Sequence, residues 1–104
     1  MGTKMMNQNY LNMIGLAFRA GKCTLGEEAI IKNIQSKKAK LVLIAKDTGP
    51  QTKKRLTDKC NYYKVPFAIV DDRETLSHAI GKTHRVAIAI NDKGFANKIS
   101  MLIG

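Results

Sequence analysis

Residues 40–50 read K-L-V-L-I-A-K-D-T-G-P: five apolar residues, Leu41 to Ala45, between Lys40 and a polar Lys46-Asp47-Thr48 segment. So short an apolar run, without polar alternation, is the mark of a strand covered on both faces. Such a strand needs helices above and below it. Pro50 supplies the next boundary, because the first turn of a helix has no use for the N–H that proline lacks.

The neighbouring segments supply the layers. Downstream of Pro50, Leu56, Cys60 and Tyr63 mark one face of a helix. Val65 to Val70 predicts a second strand, with Pro66 near its start, where a missing donor is tolerable. Asp72 is placed to cap a short helix with Leu76, Ala79 and Ile80 inward, and Gly81 ends it. Arg85 to Ile90 predicts a third strand. Asn91 or Asp92 then caps a last helix that buries Phe95, Ile99, Leu102 and Ile103.

Upstream, Met6, Tyr10, Met13, Ile14, Ala17 and Phe18 lie on one face of a helix over residues 5–18. Gly21 is suited to its left-handed cap. A second helix starts near Gly26, with Thr24 and Glu27 at capping-box spacing and Ala29, Ile30 and Ile34 as its buried stripe. The fold class is therefore α/β: a three-layer α/β/α sandwich, with a small mixed sheet of about four strands, in one domain spanning residues 1–104. Loops leaving the strand ends are the expected functional edge.

Charge is the most informative total. Eighteen Lys and Arg face eight Asp and Glu, a net of +10, and residues 1–64 carry thirteen of the cations against four anions. A basic field on one part of a small domain suits a polyanion, most simply nucleic acid; the plain alternative is a solvated face. No apolar segment approaches the roughly 20 residues needed to cross a bilayer. The N-terminal stretch does not read as a secretory signal, and Cys23 and Cys60 form no C-x-x-C pair, so reduced thiols in a cytoplasmic protein are expected.

Enzyme signatures are missing. His78 and His84 have no partner at metal-ligand spacing, and neither a G-x-S-x-G elbow nor a phosphate-binding G-x-x-x-x-G-K-[ST] run occurs. Asp71-Asp72 makes a poor catalytic pair, since adjacent side chains diverge and Asp72 has a capping role. No cofactor, metal or small-molecule substrate is expected.

Three places suit a ligand. At the start of the second helix, Gly26, Glu27 and Glu28, with Lys32 further on, offer backbone N–H groups to a phosphate or a base edge, although capping explains Glu27 better. Lys46 and Asp47 leave the first long strand where open α/β sheets tend to place ligands, and Lys53 heads a cationic cluster of which part must be solvated surface. Val70, Asp71 and Arg73 form the next strand's exit, on the same edge if the two strands are parallel neighbours. A simple capped turn explains that exit equally well.

Taken in order, G-E-E-A-I-I-K, K-K-A-K-L-V-L-I-A-K-D-T-G-P, V-P-F and L-S-H-A-I-G resemble the kink-turn-binding ribosomal proteins of the L-seven-Ae and thirty-e type. The segments T-D-K-C-N-Y-Y-K-V-P and I-A-I-N-D-K-G-F-A-N-K-I are similar to the bacterial YlxQ group of that superfamily. The resemblance runs over roughly residues 8–100. It implies a small α/β/α sandwich without catalytic activity whose partner is structured RNA, a kink-turn or ribosomal RNA. The helix start at Gly26, Glu28 and Lys32 would face tandem sheared G·A pairs beside a sharp bend. Lys46 and Asp47 match the loop after the first long strand, and Val70 to Arg73 the loop over an extruded nucleotide. A monomer is expected.

The chain departs from the family pattern in three places. Glu28-Ala29 stands where Asn-Glu or Lys-Gln is usual; Ala29 makes no hydrogen bond to a base, and Glu28 can only accept. Gly49 stands where several relatives carry a polar contact residue, and Ser77 replaces the glycine of L-G-x-A-x-G. These departures favour backbone and phosphate contacts over base reading. They also motivate an alternative, a protein-interaction adaptor on the same fold.

Overall fold

The computed structural model of the chain describes residues 9–104. In order its elements are α1 (Asn9–Arg19), β1 (Cys23–Leu25), α2 (Glu27–Gln35), β2 (Leu41–Ala45), α3 (Pro50–Tyr63), β3 (Phe67–Val70), α4 (Arg73–Ala79), β4 (Ala87–Ile90) and α5 (Lys93–Ile103). The expected helix start at residue 5, with Met6, lies outside the described residues.

The four strands form one mixed sheet in the order β1-β4-β2-β3. β2 and β3 are parallel, with Ala45 opposite Val70, whereas β4 runs antiparallel to both β1 and β2. All five residues of β2 are buried, as its sequence predicts. The pleat sends Leu41, Leu43 and Ala45, with Ile88 and Ile90, into a core shared with Tyr10, Ile14, Leu76 and Ile99 of α1, α4 and α5. Val42 and Ile44 face the other way, with Ala87 and Ala89, onto Ile30, Ile31 and Ile34 of α2 and Leu56 and Cys60 of α3. Three layers result.

Several helix boundaries follow local chemistry read from the sequence. Gly21 and Gly81 have φ of 74° and 69°, the left-handed region that glycine enters freely. The Asp72 carboxylate accepts from the Thr75 amide at 2.8 Å and that of Asp92 from Phe95 at 2.9 Å, capping α4 and α5. Pro50 opens α3.

Other expectations need correction. The capping box does not form: α2 starts after Gly26, which supplies no side-chain cap, and Thr24 lies in β1. Its hydroxyl instead accepts from the amides of Asn33 and Asn91, tying α2 to the β1–β4 pair. Ala29 is exposed, and Ile31 takes its place in the buried stripe, because starting the helix at Glu27 turns Ile30, Ile31 and Ile34 toward the sheet. Tyr63 is only half-buried. β3 starts at Phe67 because Pro66 offers only its carbonyl, which accepts from the Val42 amide at 3.0 Å. β4 starts at Ala87 because Arg85 is held elsewhere.

What holds Arg85 is Ser77, 2% exposed in α4. Its hydroxyl donates to the Arg85 carbonyl at 3.1 Å and accepts from the Arg85 amide at 2.8 Å, fixing the return from α4 to β4. Ser77→Ala strands both backbone groups, at an expected cost of about 1–3 kcal/mol. Urea unfolding checks the loss, and hydrogen exchange should quicken at residues 82–86. Unchanged stability and exchange would show the bridge to be dispensable.

Candidate nucleic-acid interface

Two strand exits meet at one sheet edge. Because β2 and β3 are parallel neighbours, Lys46 and Asp47 emerge beside Asp71, Asp72 and Arg73. The Lys46 amide donates to the Asp71 carbonyl at 3.1 Å. The Asp47 carboxylate accepts from the Arg73 amide at 2.8 Å and from its Nε at 3.3 Å, while Arg73 Nη2 donates to the Asp47 carbonyl at 2.6 Å. These bonds clamp the two exits together. Behind them Thr48, 6% exposed, donates its hydroxyl to the Ala45 carbonyl at 2.6 Å and so tightens the turn leaving β2.

The third segment reaches the same edge through β1, which runs antiparallel to β4 with Leu25 opposite Ile88. Gly26 therefore opens α2 beside the start of β4, in a shallow depression with Glu27, Thr52, Arg85 and Ala87. Its φ of 91° and ψ of 131° suit glycine, and no side chain caps the first amides of α2. Arg85 adds an unspent donor, since its buried Nε has no partner among the described residues.

The acidic side chains at this helix start are already engaged. Arg55 Nη1 donates to Glu27 Oε2 at 2.9 Å and to Glu28 Oε2 at 2.7 Å, and Thr52 donates to Glu27 Oε1 at 3.1 Å. Hydrogen bonding to Arg55, more than its field alone, holds the Glu28 carboxyl below the usual range. Asp72 is likewise lowered, chiefly by its hydrogen bonds from Thr75, with Lys46 adding attraction. Thr52 and Arg55 stand at i, i+3 on α3, a spacing that puts them on one face. That periodicity was the available signal for the clamp; the packing of α3 against α2 was not legible.

The remaining residues divide. Lys32 and Lys46 are exposed, and Lys53 is half-buried beside Thr48, Pro50 and Ile69. Val70 is 2% exposed with its side chain in the core, so only its backbone belongs to the edge. Asp71 is anchored from below by the Tyr10 hydroxyl, which donates to Asp71 Oδ2. Glu27, Glu28, Asp47, Asp71 and Asp72 stand against Lys32, Lys46, Lys53, Arg55, Arg73 and Arg85, a surplus of one positive charge. This edge therefore carries little of the net positive charge.

Nothing in this arrangement resembles a hydrolytic or redox centre. The Cys23 and Cys60 thiols are free, and burial pushes both up to about 11, which favours the protonated thiol near neutrality. Among the described residues no cluster of three metal-ligating side chains occurs, and no helix is long and apolar enough to cross a membrane.

The sequence model of the ribosomal protein L7Ae/L30e/S12e/Gadd45 family matches residues 8–100. The chain belongs to this family. Within reach of it, the RNA-binding protein YlxQ of Bacillus subtilis is 46% identical over 99 residues, covering 95% of this chain and 99% of that protein. The large ribosomal subunit protein eL8 of Thermoplasma volcanium is 32% identical, over 86% of this chain and 74% of its own. Among solved structures, a protein with unknown function from Bacillus halodurans superposes with a TM-score of 0.88 at 42% identity, covering 90% of this chain and 95% of that one. A Giardia lamblia 15.5kD RNA binding protein superposes with a TM-score of 0.82 over 99% of this chain and 88% of its own. At 20% identity that second likeness bears on the fold alone. By name, the two sequence relatives are an RNA-binding protein and a ribosomal protein.

Proposed function

We propose that the chain is a non-catalytic, cytoplasmic RNA-binding protein that recognises a kink-turn or similarly bent RNA with the edge formed by the start of α2 and the exits of β2 and β3. The observation that carries this reading is their convergence: the parallel pairing of β2 with β3, and β1 beside β4, bring three separate segments to one edge. The uncapped amides after Gly26 suit a phosphate or the edge of a G·A pair. Glu28 then accepts from a guanine N1–H or an adenine N6–H, and Lys32, Lys46 and Lys53 meet phosphates on either arm of the bend. Asp47 and Arg73 hold the loop that would cover an extruded nucleotide, with Asp71 fixed behind it by Tyr10. The protein acts as a monomer in this scheme.

Hydrogen exchange with and without kink-turn RNA tests the placement. Binding should slow amides at residues 26–29, 46–49 and 71–74 together. Slowing confined to other surfaces would refute the assignment, and no response to any RNA would favour the adaptor.

A further inference from the structure

Little of the net charge of +10 is generated at the edge just described, where six cations face five anions. It collects at the opposite sheet edge. Hydrogen bonds link the corners there: the Lys22 carbonyl accepts from Asn91 at 2.8 Å, and the Lys40 amide donates to Ile90 at 2.7 Å. Lys40 Nζ reaches the Lys37 carbonyl at 3.0 Å, and Lys37 Nζ reaches the carbonyl of Tyr63, next to the α3 cap Lys64. Lys22, Lys37, Lys38, Lys40 and Lys64 thus border one edge, with Lys59 a turn back from it on α3, and none of the six is in an ion pair among the described residues. The carboxylates nearby are committed, Asp92 to capping α5 and Asp58 to Lys54.

An aromatic accompanies this charge. Tyr62 is 77% exposed and packs edge-on against Tyr63 with ring centroids 4.8 Å apart. Arg55, Lys59 and Tyr62 follow at i, i+4 and i+7 along one face of α3, a stripe about 10 Å long that leads from the start of α2 toward the lysine edge. Lys59, Tyr62 and Tyr63 line a shallow groove on it.

We propose that this lysine edge and Tyr62 form a second RNA surface, which takes a single-stranded segment with its phosphates on the lysines and a base stacked on the exposed ring. Unpaired cations bordering an exposed aromatic are the combination that holds single strands without sequence preference. A duplex, whose bases are already stacked, would leave Tyr62 unused. The inference shares with the preceding section only that the ligand is RNA.

The test compares a blunt kink-turn duplex, the same duplex with an eight-nucleotide uridine extension, and a twelve-nucleotide uridine strand alone, by fluorescence anisotropy at two salt concentrations. For the natural chain the extension should tighten binding about tenfold, the order expected of one stacked base. Tyr62→Ala should erase that gain. A Lys22→Gln, Lys38→Gln, Lys64→Gln variant should erase it too and lower the logarithmic salt slope by about two. All four side chains are exposed, so folding is not at stake, and affinity for the blunt duplex should stay within about threefold. An extension that adds nothing, or a gain that survives both variants, overturns the proposal. If the blunt duplex is not bound at all, the uridine strand decides: binding weakened by both variants upholds the second surface, and binding indifferent to them removes it.

Discussion

Arg55→Gln is expected to weaken binding of a kink-turn RNA by about tenfold while leaving the fold nearly as stable as before. The stability change stays small because the ion pairs lie at the surface, with the Arg55 side chain 44% and that of Glu28 73% exposed, and solvent-screened pairs contribute little to stability. The binding change is larger because the guanidinium neutralises two carboxylates, Glu27 and Glu28, at the place where an RNA backbone would approach. Freed, each repels a nearby phosphate at short range even in water, and the two repulsions together account for the expected tenfold loss. Rescue separates this explanation from a direct Arg55–phosphate contact. Adding Glu27→Gln and Glu28→Gln to the Arg55→Gln variant should recover most of the affinity; if it does not, Arg55 itself touches RNA. Glu28→Gln in the otherwise natural chain distinguishes further. It tightens binding if Glu28 is only a repelling charge, and weakens it for RNA with intact G·A pairs if Glu28 accepts from a base.

The largest stability effect is expected at Tyr10, fully buried between α1 and the sheet and hydrogen-bonded to Asp71. Tyr10→Ala removes a whole ring from a close-packed core, at a cost of about 3–5 kcal/mol. That is a large part of the total for a small domain, of order 5–15 kcal/mol. Tyr10→Phe keeps the ring but deprives the half-buried Asp71 of its donor, for about 1–3 kcal/mol. It should also loosen the 71–73 loop, so RNA affinity falls although Tyr10 lies beneath the surface. The pH dependence gives a separate signature. Burial, reinforced by the bond to Asp71, raises the phenol above its usual 10.0, so the folded chain resists ionisation. The stability this contributes is complete below pH 10, where folded and unfolded phenols are both protonated, and is lost as the pH climbs above it. Unfolding midpoints should therefore fall more gently between pH 10 and 11 in Tyr10→Phe than in the natural chain; parallel profiles would contradict the assignment.

How much of this was legible in the sequence depended on the range of the interaction. Leu41 to Ala45, the cap at Asp72 and the ends at Gly21 and Gly81 are set by residues within a few positions of each other, and they read correctly; for the last helix the sequence left Asn91 and Asp92 open, and Asp92 is the cap. Cys23 to Leu25 did not read as a strand because three residues show no period, and its partners Ile88 to Ile90 lie 63 to 67 positions away. The same distance hid the fate of Thr24, whose partner Asn91 lies 67 positions away and left it unavailable for a capping box. For the candidate site, the three segments were visible one by one. What could not be read was that Arg55, 27 positions from Glu28, would neutralise the acidic helix start, or that the surplus lysines would gather at the other edge.

The most direct measurement is a titration of the chain with a kink-turn duplex and with the same duplex carrying Watson–Crick pairs in place of its G·A pairs, at two salt concentrations. Kink-turn recognition predicts that the first RNA is bound well above the second at both salts, with affinity for both falling as salt rises. Equal affinity for the two would contradict recognition of the bend by the start of α2.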